Sequence, residues 1–180
     1  MIQTVFSWRS VRRLSVVLAV AVVGAVAPAH AGEVELERMT WLEVRERIAA
    51  GATTVIVPTG GTEQNGAHMA LGKHNFIVTH SATLMARRLK NALVAPTIQY
   101  VPEGNPDRAG PGVISLPSPA YDQLLDAAAR SLKAHGFTDI LFIGDSGGNQ
   151  AGMTAVAAAL NEEWKDGGAR AYARARRIAS

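Results

Sequence analysis

From Thr40 onward the chain alternates between stretches with a helical period and short runs that are apolar throughout. "TWLEVRERIAAG" carries Thr40 and Glu43 at the spacing of a capping box and closes on Gly51, which predicts a short helix. "TTVIVP", Thr53 to Pro58, is β-branched and continuous, the pattern of a buried strand, and a glycine-rich segment follows it. "FIVTHSATLMARRLKN" predicts a helix and "ALVAPTIQYV" a strand. In "SPAYDQLLDAAARSLKAHG", Ser118 is placed to cap a helix whose apolar stripe is Leu124, Leu125, Ala128 and Leu132. "TDILFIG" predicts another buried strand, "NQAGMTAVAAALNEEW" another helix, and "ARAYA" a last strand.

Apolar strands separated by amphipathic helices predict an α/β protein whose parallel sheet is covered on both faces. Ligands of such sheets sit outside the carboxyl ends of the strands. Two polar, glycine-rich segments directly follow strands, Thr59–Asn75 and Gly144–Gln150. They are expected to meet at one edge of the sheet and form the site there.

The first thirty-one residues read differently. A basic start with Arg9, Arg12 and Arg13, an apolar run from Leu14 to Ala27, and Ala29-His30-Ala31 make the pattern of a secretory signal peptide. The apolar run is shorter than the roughly 18–20 residues that span a bilayer. Cleavage is expected after Ala31, leaving one domain, residues 32–180, in the periplasm or secreted, with no membrane partner afterwards. This changes the charge picture. The whole chain carries 18 Lys and Arg against 15 Asp and Glu, and the signal holds three of the bases and none of the acids. The remainder is therefore balanced, which argues against a nucleic-acid partner. There is no cysteine, so disulfides, thiol nucleophiles and thiolate metal ligands are excluded.

"LFIGDSGGNQAG" contains the Gly-Asp-Ser-Gly-Gly run found around the nucleophile of trypsin-like proteases, and it also fits the G-x-S-x-G elbow. The first reading conflicts with the strand–loop–helix context, because that protease fold is all-β. The second has the right local context but lacks a histidine after His135. A Ser146 esterase therefore needs an earlier histidine such as His74. The segment "PTGGTEQNGAHMALGKHN" offers more, with Glu63, Asn65, His68, His74 and Asn75 among four glycines. Imidazole and carboxylate together suit Zn²⁺ or Mn²⁺. The same residues would also serve as a hydrogen-bonded loop scaffold, because their spacing matches no compact metal motif.

"GGTEQNGAHMALGKHN" resembles the signature of the creatininase (creatinine amidohydrolase) family, G-[ST]-x-E-Q-H-G-x-H-L-P-x-x-T-D. "GPGVISLP", "RSLKAHGF" and "IGDSGGNQ" are similar to later family segments, in order and at compatible spacing from about Thr40 to Trp164. The resemblance implies an α/β/α three-layer sandwich with a mostly parallel sheet, often oligomeric, hence a homo-oligomer. It also implies a metal-dependent amidohydrolase that turns an activated water on a C–N bond of a small cyclic or linear amide.

By position, Glu63 matches the family's ligand glutamate and His68 its second histidine. Asn65 and Ser146 stand where ligand histidines are usual, His74 where a metal-bridging aspartate is usual, and Gly148 where creatininase has a further ligand glutamate. A neutral imidazole offers one free lone pair and cannot bridge two metals as a carboxylate does. One Zn or Mn per chain is therefore expected rather than two, held by Glu63, His74, Asp145 and His68. Glu63 or Asp145, whichever is not a ligand, is the expected base. Asn65, Ser146 and the backbone N–H groups of Gly147, Gly148 and Asn149 are expected to line the substrate and receive an oxyanion. The family runs on past the helix ending near Trp164, so the C-terminal part of its fold is expected to be missing here. The altered ligand positions keep a second class open: a non-catalytic binding or interaction protein on the same fold.

Overall fold

The computed structural model describes residues 32–175, so the expected signal segment lies outside the described residues. Four helices, α1 (Trp41–Ala49), α2 (Lys73–Leu89), α3 (Ser118–Ala134) and α4 (Gln150–Glu163), alternate with four strands. The strands are β1 (Thr54–Thr59), β2 (Ala92–Val94), β3 (Asp139–Gly144) and β4 (Arg170–Ala175). All pairs are parallel, in the order β2-β1-β3-β4. β1 and β3 are thus the interior strands, in register from Thr54 opposite Asp139 to Thr59 opposite Gly144.

Side chains alternate across a strand, so an interior strand of a covered sheet must be apolar on both faces. Val55, Val57, Ile140 and Phe142 point to one side, where they pack with Leu93 and with Tyr121, Leu125, Met153 and Leu160 of α3 and α4. Ile56, Val94 and Ile143 point to the other, against Val78, Ala82 and Ala86 of α2. Val44 and Ile48 of α1 lean on the first of these cores. This is the α/β sandwich expected from the sequence. Among the described residues no helix is long and apolar enough to cross a membrane.

The boundaries differ from expectation in places that matter for the site. α2 begins at Lys73, so His74 and Asn75 stand on its first turn and not in the preceding loop. The expected strand over Ala92–Val101 stops at Val94, and Ile98 and Val101 make only single bridges, to Thr59 and Ser115. The cause is Pro96, which has no N–H to give a ladder. Ser118 is the first residue of α3 and makes no capping bond, Pro117 preceding the helix instead. The face that α3 buries is Tyr121, Leu125 and Ala129, while Leu124 stays 41% exposed.

Candidate active site at the carboxyl edge of the sheet

Interior strands β1 and β3 end side by side at Thr59 and Gly144, and the chain leaves each through a glycine-rich segment. Asn149 ties the two exits together. It is fully buried, and its Nδ2 donates to Thr59 O, Thr59 Oγ1 and Gly60 O at 3.0, 2.9 and 2.8 Å. Gln150 Nε2 donates to Ser146 O at 2.9 Å and closes the second loop on itself. Gly60 is needed because a Cβ there would overlap Asn75 on α2. That close approach lets Asn75 Oδ1 accept from Gly61 N–H at 2.9 Å.

This bracing sets His74 between two carboxylates from different segments. His74 Nε2 lies 2.6 Å from Glu63 Oε1, on the loop after β1. His74 Nδ1 lies 2.7 Å from Asp145 Oδ2, directly after β3. The His74 and Asp145 side chains are each 9% exposed and Glu63 27%. With both carboxylates ionised, both ring nitrogens must carry hydrogen to make these bonds. Burial works to raise the Glu63 carboxyl. Hydrogen bonds with Asn65, Glu103 and His74 outweigh it and hold Glu63 below the ordinary carboxylate range.

Glu103, from the segment after β2, is the member of this cluster that the sequence reading missed. Its Oε2 accepts from Ser146 Oγ at 3.5 Å, and its backbone N–H donates to Ser115 Oγ at 3.0 Å. Glu103 Oε1 is buried, and the carboxyl shares a hydrogen bond with Glu63. Burial, and then the neighbouring Glu63, push the Glu103 carboxyl up to about 8. The signal was present but unused. Glu103 precedes Gly104, a turn glycine at φ +81°, beyond the end of another parallel strand, where the same carboxyl-end rule applies.

The other expected site residues fall into two groups. Ser146 is buried beside Glu103, and Gly147–Asn149 form a short 3₁₀ turn leading into α4. A Cβ at Gly148 would overlap Pro102 O, so this position holds two segments in contact. Asn65 Oδ1 accepts from Lys73 Nζ at 2.6 Å and is committed to that cation. His68 is exposed on its loop and shares no hydrogen bond with the cluster. The structure thus gathers Glu63, His74, Asp145, Ser146 and the added Glu103, and leaves His68 outside.

Carboxylates and an imidazole are the donors that a borderline divalent cation takes. Glu63 and Asp145 flank the one histidine, and Glu103 lies against Glu63 with a hydrogen bond between them. In kind the donors suit such a cation. In position they require one adjustment: among the described residues no three His, Asp or Glu side chains already stand as a ligand group. His74 has to release one carboxylate to offer a lone pair. Asp145 also lines an open groove of about 1300 Å³ between α2 and β4, with Ile77, Leu141, Ile143 and Tyr172.

A parallel α/β sandwich with an acid–histidine cluster at its carboxyl edge defines the class as creatininase-like, and sequence and structure comparisons agree. The family described as creatinine amidohydrolase matches residues 37–178, and the chain belongs to that creatininase family. A mycofactocin precursor peptide peptidase of Mycolicibacterium smegmatis is 32% identical over 120 residues, covering 63% of this chain and 47% of the relative. The creatinine amidohydrolase of Pseudomonas putida is 31% identical over 102 residues, covering 54% of this chain and 39% of the relative. The match thus spans about half or less of these relatives' length. A manganese form of creatininase superposes with a TM-score of 0.71 at 23% identity, over 79% of this chain and 58% of that one. A Zn-Zn form of a creatininase variant gives a TM-score of 0.69 at 23% identity over the same shares.

Proposed function

We propose that this chain is an exported, metal-dependent amidohydrolase that cleaves a C–N bond in a small cyclic or linear amide. The observation that carries the reading is the contact of Glu63, His74 and Asp145, three segments meeting within 2.7 Å at the carboxyl edge of the sheet. Relatives described as a creatinine amidohydrolase and a peptide peptidase, and neighbours holding Mn or Zn, support the reaction class and the cofactor. His74 together with one of its two carboxylate partners, Glu63 or Asp145, would hold one Zn²⁺ or Mn²⁺. Such an ion supplies Lewis acidity, which polarises an amide carbonyl and makes water more acidic.

The chain's own groups account for the remaining steps. Whichever of Glu63 and Asp145 stays free of the ion takes the proton from water and returns it to the leaving nitrogen. The N–H groups of Gly147, Gly148 and Asn149, in the turn that leads into α4, would receive the developing oxyanion. The groove beside Asp145 gives a small amide room to approach.

One observation favours a second reading. Both nitrogens of His74 are already bonded to carboxylates, so the cluster is internally closed, as in a binding protein that kept the fold without the reaction.

One experiment separates them. The full chain is expressed with its N-terminus, recovered from the exported fraction, and assayed for mass, metal content and hydrolysis of an amide panel. The hydrolase reading expects a chain beginning at Gly32, about one metal, and metal-supported turnover that Glu63→Gln lowers by at least about a hundredfold. A metal-free, inactive chain would leave the binding protein. Chelator-resistant ester hydrolysis lost in Ser146→Ala would favour the esterase instead.

A further inference from the structure

We propose that the groove beside the cluster binds an N-acyl amino acid, a linear amide whose apolar acyl chain lies along the groove and whose carboxylate is received by Arg174. The inference rests on the proposed amidohydrolase reading and narrows its substrate to this class.

The groove and the cluster share a wall. Asp145, 2.7 Å from His74 Nδ1, also lines the groove, and Ile143 and Leu141 carry that wall down β3. On the facing side, Ile77, Ser81 and Met85 follow His74 on one flank of α2. From His74 to Met85 is roughly 16 Å along a helix axis, and from Asp145 to Leu141 roughly 13 Å along a strand. Tyr172 stands opposite Leu141 in the β3–β4 register, and its hydroxyl donates to Asp139 Oδ1 at 3.1 Å, which holds the ring at the far end.

Size and lining decide what fills this space. At about 1300 Å³ the groove is larger than the roughly 300–1,000 Å³ of an ordinary small-ligand pocket. A compact cyclic amide held at Asp145 would leave Met85, Leu141 and Tyr172 in water, whereas an acyl chain laid away from the cluster covers them. Charge decides the other end. Asp145 and Arg174 are the charged residues of the lining, and Asp145 is engaged with His74. Arg174 pairs with Ile143 in the strand register, close to where the chain turns into the cluster. It is exposed and has no ion-pair partner among the described residues. An arginine on an edge strand also discourages wrong strand pairing. Arg170 on the same strand serves that purpose, and of the two only Arg174 lines the groove. A guanidinium so placed matches a carboxylate close to the scissile bond. An N-acyl amino acid carries its carboxylate on the carbon next to the amide nitrogen. Hydrolysis breaks the C–N bond, forms a C–O bond between water and the acyl carbon, and passes the water's proton to the leaving amine.

The test uses the full exported chain and three probes: N-decanoyl-alanine, N-acetyl-alanine and N-ethyldecanamide, which lacks the carboxylate. Turnover is measured with Zn²⁺ or Mn²⁺ supplied, and calorimetry measures binding of each probe to the metal-free chain. N-decanoyl-alanine is expected to exceed N-acetyl-alanine in kcat/KM by at least about a hundredfold, and N-ethyldecanamide by at least about tenfold. Arg174→Gln is expected to erase the second preference, mainly through KM, and Arg174→Lys to restore part of it. Ile77→Asp, at a position 44% exposed, is expected to shrink the first. A carboxylate preference that survives Arg174→Gln would overturn the role of Arg174. Equal turnover of long and short acyl chains would overturn the inference and leave the hydrolase reading standing. Selective binding of N-decanoyl-alanine with no turnover of any probe would uphold the groove's ligand and overturn the hydrolase reading. Neither binding nor turnover would overturn both.

Discussion

Glu103 and Glu63 oppose each other in their effect on stability. Burial and Glu63 raise the Glu103 carboxyl from 4.5 to about 8, so without a cation the folded chain keeps a proton that the unfolded chain releases. Stability then falls as pH rises from about 4.5 to about 8, and the whole penalty is present above that. Glu63 is shifted the other way, so its contribution is present above 4.5 and is lost as pH falls through its lowered value. The two windows do not overlap. Melting curves in chelator are therefore expected to move to lower temperature between pH 5 and pH 8.5, and the slope should flatten in Glu103→Gln. A parent chain with a flat profile over that range would contradict the raised carboxyl.

At the scale of elements, α1 isolates what a cap contributes, because none of its residues is buried. Thr40 Oγ1 accepts from Glu43 N–H at 3.3 Å, and Glu43 Oε2 accepts from Thr40 N–H at 2.7 Å. Thr40→Ala removes the first of these bonds and is expected to cost about 1 kcal/mol, read as a lower denaturant midpoint with unchanged slope. This box was legible because two residue types at fixed spacing define it. β1 and β3 were legible too, since an interior strand of a covered sheet has to be apolar at every position. The start of α2 was not. Gly72, Lys73, His74 and Asn75 carry no apolar period and no side-chain cap, so nothing separated them from the loop before them. His74 was therefore found as a candidate but placed on the wrong side of a boundary. Glu63 and Asp145 were found because each follows an obvious strand. Glu103 follows a strand cut short by Pro96, and its partners come from segments far away in sequence.

Across the whole molecule the two faces of the sheet are served unequally. α3 and α4 cover the side of Val57, Phe142 and Ala171, whereas α2 on the other side lies over β1 and β2 and leaves the groove beside β4. Asp145 stands where that groove reaches the carboxyl edge of the sheet, so the groove opens onto the cluster there. The interior position of β1 also sets an order of events in time. Its neighbour β2 comes soon after it, Thr54 pairing with Ala92, but its neighbour β3 arrives only after α3 has been made, Thr54 pairing with Asp139. Until then one whole edge of an apolar strand has no partner. Closing so distant a pair is slow, and an unpaired edge is prone to join the wrong chain. Refolding yield is accordingly expected to fall as protein concentration rises. A yield independent of concentration would mean that β1 is sheltered early by some other contact. For this chain, the strand that anchors the site is also the one most exposed to misassembly while it waits.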